Sequence, residues 1–423
     1  MKMIKILELF GGIGACSKAL KNLGIPFEIV DYVEIDKYAV KSFNAIHGTN
    51  FEPQDVCTWN KDIEVDLIMH GSPCQDFSVS GKNLGGDEGS GTRSSLMYET
   101  IRIVEKLKPK YIIWENVKNL LSKKHKHNFD KYITRMEKLG YKNYYQILNA
   151  KDYGIPQNRQ RVFTISIRDD SYANTYVDPD IYYDEEAYNF KFPPKQVLKL
   201  KLKDMLEDNV DEKYYLSDRM TNFFIYNEQK QIEKGNGFRF NVTDGNVISK
   251  PITTKAGNRM DDNFIGNKEL YIKNVTRKGY LEVHESDSKT GRGRVVDQVS
   301  QTLQCNDMGV VLKSKCKRLN NLVKITNFEK GKVLNMDLYN QTTNEHVFQT
   351  LTDPCHNTQR LFDGLRIRKL TPKECWRLMG FSDDDFEKAE KVNSNTQLYK
   401  QAGNSIVVDV LMAILSNLLH KGG

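Results

Sequence analysis

The sequence predicts an α/β fold: a doubly wound, mostly parallel sheet with a smaller, mostly β domain inserted before a C-terminal segment. Three observations predict it. Short β-branched or aromatic runs alternate with helix-period segments up to about residue 170, the alternation stops near Phe190, and ordered helical patterns return after Gly364. The implied division is 1–189 for the sheet domain, 190–364 for the insertion, and 365–423 for a segment that returns to the first domain.

In chain order, IKILELF at 4–10, FEIV at 27–30, VDLIM at 65–69, YIIW at 111–114 and VFTISI at 162–167 read as strands. Helical periodicity fills the intervals, as at 96–107 and 127–139. Ligands of such a sheet collect at the carboxyl ends of its strands. The insertion is rich in Lys, Asn, Asp, Thr and Gly, with turn chemistry at DGN 244–246 and TGRGR 290–294. One phrase recurs there, SKPIT at 249–253, SQTLQ at 300–304 and FQTLT at 348–352. Its anchors Ile252, Leu303 and Leu351 are 51 and 48 positions apart, and three short matches do not establish a repeat architecture. The apolar stretch 405–419 reads as a core-packing helix.

A chain of 423 residues, 39% hydrophobic and 28% charged, buries a substantial core in two or three domains. The formal charge of +7 leans toward a polyanionic partner, although a solvated basic face gives the same number. Seven scattered cysteines, never spaced C-x-x-C, argue against a disulfide framework or a metal site and fit reduced thiols in a cytoplasm. No signal-like N-terminus and no apolar run of roughly 18 residues are found, so the expectation is a soluble intracellular protein that does not engage a membrane.

The first strand runs into Phe10-Gly11-Gly12-Ile13-Gly14 at the start of a helix, which suits a ligand over the helix N-terminus. The third glycine of the dinucleotide fingerprint is missing, which weakens a pyrophosphate or nicotinamide reading. Glu34 ends the second strand about twenty residues on, where a carboxylate accepts from both ribose hydroxyls, and Asp55 is placed to accept from an exocyclic amine. Singly, each is equally an ordinary turn glycine or capping acid. Jointly they favour an adenosine-bearing cofactor. Past the third strand stands GSPCQD, a cysteine held by a proline among small polar residues.

At this point the motifs Phe10 to Gly14, Glu34, GSPCQ at 71–75, ENV at 115–117, QNRQR at 157–161, RKLTP at 368–372 and QAGNS at 401–405 resemble, in order, those of the DNA (cytosine-5)-methyltransferases, bacterial or phage type. The likeness spans roughly 1–170 and 365–423. It implies a fold of the S-adenosylmethionine-dependent methyltransferase type, with a target recognition domain as the insertion. It also implies methyl transfer to carbon 5 of a flipped-out cytosine in duplex DNA. Carbon 5 is a poor nucleophile, and adding a thiolate to carbon 6 makes it enamine-like. Cysteine suits the task because it attacks well and also leaves.

By this resemblance Cys74 is the nucleophile, Glu115 bonds cytosine N3 and the 4-amino group, Arg161 contacts O2, and Arg159 supports the site. Cofactor contacts are implied for Phe10, Gly12, Ile13, Gly14, Glu34, Ile35, Asp55, Val56, Gly71, Pro73, Leu96, Asn404 and Ser405. The loop 75–93 would close over DNA with Gln75, Ser78 and Ser80, while Arg292 and Arg294 of the insertion would read bases or hold phosphate. A monomer is expected, located in the cytoplasm of a bacterium or phage-infected host, with any cognate restriction endonuclease acting separately. A tRNA cytosine-5 methyltransferase of the same fold is the rival enzyme, and a catalytically silent DNA-binding protein is the rival from another class.

Overall fold

The computed structural model describes residues 3–73, 87–90, 92–169, 190–269, 271, 334–337, 342–344, 359–362 and 367–419. Its contacts divide the chain into two compact units, one of Met1–Asp208, Gly245–Arg259 and Leu370–Gly423, the other of Asn209–Asp244 and Met260–Lys369.

The first unit is built on six strands, β1 (Ile4–Leu9), β2 (Phe27–Val33), β3 (Leu67–His70), β4 (Tyr111–Val117), β5 (Tyr141–Asn149) and β6 (Gln160–Arg168), in the order β2-β1-β3-β4-β6-β5. The first four are mutually parallel, β6 runs antiparallel to β4, and β5 antiparallel to β6. The expected mostly parallel α/β sheet is therefore present, with an antiparallel hairpin at one edge. The sequence reading missed β5 because YKNYYQILN mixes polar and aromatic residues without clean alternation. Three of its residues are exposed in a row, so no period-2 signal survives.

Helices α1 (Ala15–Asn22), α2 (Lys37–His47), α3 (Met97–Leu107) and α4 (Lys126–Lys138) connect the strands. Asp36 caps α2 by accepting from the Tyr38 amide at 3.0 Å, and left-handed Gly48 ends it. A helix of the other unit, α5 (Asp218–Glu233), comes next in the chain, and four further helices follow in this unit: α6 (Pro372–Arg377), α7 (Asp383–Glu390), α8 (Asn395–Asn404) and α9 (Val408–Leu419). Thr371 and Glu374 form a capping box at α6, and Ser382 and Asp385 do so at α7. By length and composition the stretch Asn395–Leu419 is apolar enough to cross a membrane. It is interrupted at 405–407, and Val408, Leu411, Ile414 and Leu415 of α9 are buried, with α9 packed on α1. Core packing accounts for its composition, as expected. The main core joins Leu7, Leu9, Ile68, Ile112, Trp114, Phe129, Tyr132 and Met136.

In the second unit the described residues form α5 (Asp218–Glu233), a small sheet of β7 (Val242–Thr243), β8 (Phe264–Ile265) and β12 (Arg368–Lys369), and a second one of β9 (Leu334–Asp337), β10 (Thr342–Asn344) and β11 (Gln359–Phe362). Phe224, Ile225, Phe240, Met260, Phe264 and Ile367 form its core. A 16-residue helix thus sits where mostly β structure was expected. The contact boundaries also differ from the compositional ones. Backbone bonds Leu202 N to Val247 O (2.9 Å), Lys203 N to Gly245 O (2.8 Å) and Asn158 N to Ser249 O (2.8 Å) tie polar loop segments to the sheet unit. Composition marks a loop as polar but not the unit it bonds to. Of the recurring phrase, Ile252 is buried in the first unit, and Leu303 and Leu351 lie outside the described residues.

Candidate active site

The carboxyl end of β1 turns sharply: Phe10 (φ 54°), Gly12 (φ 55°) and Gly14 (φ 79°) all adopt left-handed backbone before α1 begins. Phe10 is a non-glycine residue held there, an uncommon conformation that needs surrounding support. The support is visible. The Tyr32 hydroxyl donates to Gly12 O at 2.6 Å, and the Gly11 and Gly14 amides donate to Val33 O and Gly11 O. Side chains are excluded on the inner side, where a Cβ on Gly11 would stand 2.6 Å from Tyr32 and one on Gly14 would stand 2.3 Å from His47. On the other side a Cβ on Gly12 would meet nothing within 4 Å, so that backbone faces open space.

Glu34 lies just past β2, its two carboxylate oxygens accepting from Gly12 N (3.1 Å) and Asp36 N (2.8 Å). Each oxygen has a further lone pair for an external donor. Burial pushes its pKa up, partly opposed by those amide bonds. Ile35 beside it is 68% exposed, an apolar surface on offer to a flat ligand. The open glycine turn, an acceptor carboxylate and an uncovered apolar side chain suit the nucleoside part of S-adenosylmethionine. Asp55 is exposed and spends one oxygen capping its own turn, accepting from Cys57 N at 2.9 Å. Val56 is buried in the main core, Leu96 packs against it, and Ile13 is 2% exposed, so all three side chains are occupied by packing.

The second focus is the end of β3. A Cβ on Gly71 would come within 3.9 Å of Glu115 Oε2 and 3.4 Å of Ile406, so this backbone passes directly over the Glu115 carboxyl. Ser72 is buried, Pro73 is half-buried, and Cys74, Gln75, Ser78 and Ser80 lie outside the described residues, as do Arg292 and Arg294. Glu115 sits on β4 opposite Phe163 of β6, and Arg161 Nε donates to its Oε1 at 3.0 Å. Burial raises the Glu115 pKa, while the guanidinium groups of Arg161 and Arg159 pull it back, and burial prevails. A cavity beside the carboxyl is walled by Leu148, Ala150, Phe163, Ile406, Val407 and Val410, which explains the desolvation.

Arg159 is 4% exposed and serves the architecture. Its guanidinium donates to the carbonyls of Ile252 (3.2 Å), Gly403 (3.1 Å) and Ser405 (2.9 Å), drawing two distant loops to the hairpin that carries Arg161. Gln157, to which the sequence reading gave no role, works alongside: it donates to Leu378 O at 2.7 Å and accepts from Ile252 N at 3.0 Å. Only its place in QNRQR pointed to it. Gly403 is required by close approach, since a Cβ there would lie 2.3 Å from Thr254 N. Ser405 is buried at the end of α8, and Asn404 beside it is exposed.

A mostly parallel sheet with a glycine turn beside an acceptor carboxylate, and with a partly buried Glu115–Arg161 pair at a neighbouring strand end, is the arrangement of a methyltransferase fold. The chain belongs to the C-5 cytosine-specific DNA methylase family, whose description matches residues 4–420. It is a DNA cytosine methyltransferase. It is 33% identical over 455 residues to the orphan methyltransferase M.SPRI of Bacillus phage SPR, covering 99% of this chain and 98% of that one. It is 30% identical over 474 residues to the type II methyltransferase M2.ScrFI of Lactococcus lactis subsp. cremoris, covering 99% and 100%. In fold it is similar to a mutant DNMT2 of Spodoptera frugiperda, with a TM-score of 0.59 at 20% identity over 98% of this chain and 99% of that one. The Entamoeba histolytica methyltransferase EhMeth gives 0.58 at 15% identity over 99% of each.

Proposed function

We propose that this protein methylates carbon 5 of a cytosine flipped out of duplex DNA, through a covalent bond between Cys74 and carbon 6. The observation that carries the reading is the partly buried Glu115 carboxyl, held by Arg161 at 3.0 Å close to the Gly71 backbone that leads into Pro73 and Cys74. Bound S-adenosylmethionine supplies an electrophilic methyl sulfonium. Phe10 to Gly14, Glu34 and Ile35 hold its nucleoside part, Asp55 accepts from its amine, and the 403–405 turn closes the pocket.

The chain's own residues do the rest. Flipping the base costs on the order of a few kcal/mol, offset by contacts in the pocket. The Cys74 thiolate adds to carbon 6. The ring electrons move toward N3, which takes or shares a proton from Glu115, a role that the upward pKa shift from desolvation favours. Arg161, already ordered by Glu115, faces charge developing at O2. Carbon 5 then takes the methyl group, and loss of its proton expels Cys74 and restores the ring. Residues 190–364 select the sequence, with Arg292 and Arg294 as base- or phosphate-contacting candidates.

A duplex carrying 5-fluorocytosine tests the covalent step, because fluorine does not leave as a cation and the adduct persists. Wild-type protein should be trapped and Cys74→Ala should not. Trapping that survives in Cys74→Ala would overturn the assignment. Methyl transfer to tRNA in preference to duplex DNA would favour the rival substrate.

A further inference from the structure

Ser72 precedes Pro73-Cys74, and its side chain turns inward rather than toward substrate: it is 4% exposed. The indole Nε1 of Trp114 donates to Ser72 Oγ at 3.0 Å, and Asn116 Nδ2 lies 3.4 Å from both Ser72 Oγ and Ser72 O. Trp114 and Asn116 flank Glu115 on β4, and successive residues of a strand point to opposite faces. One face therefore sends Glu115 toward the cavity while the other grips the backbone leading to the nucleophile.

The grip is rigidly backed. Trp114 is 1% exposed, lies parallel to His70 (centroids 5.6 Å, 6°), and packs on Tyr132 (4.2 Å) and Phe129 (5.9 Å). His70, its register partner on β3, is itself fixed between Thr100 Oγ1 (3.4 Å) and the Tyr132 hydroxyl (3.1 Å). A buried indole N–H is a donor with no alternative role, so losing its acceptor leaves it unsatisfied. Sheet packing alone needs only the apolar face of this ring. The directed N–H adds one fixed distance between the β4 backbone and the loop.

We propose that Trp114 is a positioning residue for the nucleophile, acting through Ser72 to set the register between the Cys74 loop and Glu115. The proposal rests on the roles given to Cys74 and Glu115 above, and its test separates the two. The rate of 5-fluorocytosine trapping is measured for wild type, Trp114→Phe, Ser72→Ala and the double variant. S-adenosylmethionine affinity and thermal midpoint are measured on the same samples.

If wild type is not trapped through Cys74, the functional reading fails. If it is, each single variant should trap about tenfold more slowly with cofactor affinity unchanged, and the double variant should be no slower than the worse single. Phe129→Leu, which loosens the same ring without touching the hydrogen bond, should lower the thermal midpoint yet trap at the wild-type rate. Wild-type trapping by Ser72→Ala, or slowing by Phe129→Leu equal to that of Trp114→Phe, would overturn the proposal. Ser72→Ala removes a single oxygen, so wild-type trapping by it overturns the proposal even if Trp114→Phe does not fold.

Discussion

At the scale of single residues, two carboxyls whose pKa desolvation raises do different work. Glu115 faces a cavity with mostly apolar walls and is braced by Arg161, and desolvation raises its pKa against the pull of the two guanidinium groups. Glu115→Gln keeps the shape and loses the transferable proton, so kcat should fall by orders of magnitude while DNA affinity changes little. Steady-state kinetics beside a binding titration reads this, and equal losses in both would mean that Glu115 only holds the base. Glu8, on β1, is 2% exposed and accepts from the amide of Ser17 (3.0 Å) and from its hydroxyl, tying β1 to the first turn of α1. Burial raises its pKa from 4.5 to about 7.

The folded chain thus holds the Glu8 proton more tightly than the unfolded chain. Its contribution to stability is complete below pH 4.5 and is lost as pH rises toward 7, and it is worth on the order of 3 kcal/mol. Glu8→Gln is neutral throughout. Its stability relative to wild type should therefore increase between pH 4.5 and pH 8 by about that amount in denaturant titrations. A difference independent of pH would show that Glu8 titrates as an ordinary carboxyl.

At the scale of elements, strand ends make the site because parallel strands deliver their last residues to one edge. β1 and β2 bring the glycine turn and Glu34 together, and the amide of Gly12 on the Glu34 carboxylate shows that the two form one object. Glu34→Ala should therefore weaken S-adenosylmethionine binding more than Asp55→Ala, since Glu34 is a built-in acceptor and Asp55 is exposed and partly spent on its own turn. A charge-assisted hydrogen bond sets the scale at about 1.5–3 kcal/mol. Calorimetry that finds unchanged affinity in both variants would remove the pocket from this end of the sheet.

On the scale of the whole molecule, the segment Gly245–Arg259 belongs with the sheet unit although it is flanked by residues of the other. Arg159 and Gln157 both bond to Ile252 within it. Exchanging all of 190–364 with a relative of different specificity would therefore replace a segment bonded to Arg159 and Gln157 along with the residues proposed to select the sequence. A chimera that retains Gly245–Arg259 of this chain should methylate the donor's sequence at a higher rate than one exchanging the full range. Methylation-sensitive sequencing checks both parts, and an active chimera that still marks the original sequence would place recognition outside the exchanged residues.

The sequence by itself determined the alternating α/β plan and the glycine turn after β1, and it singled out Glu34 past β2 and Glu115, which lies on β4 and not just past it as the sequence implied. Each of these has a local signature, either a period of the chain or a short motif at a strand end. It lost β5, whose polar and aromatic residues hide the alternation, and it gave no notice of the helix Asp218–Glu233. Only the tertiary structure decided what Arg159, Gln157 and Ser72 do. Arg159 meets Ser405 across 246 positions and Ser72 meets Trp114 across 42, and a hydrogen bond between distant residues leaves no periodicity in either segment. Burial also had to be seen, because desolvation raises the pKa of both Glu8 and Glu115, and the residues that line the cavity beside Glu115 come from several elements that no one stretch of sequence contains.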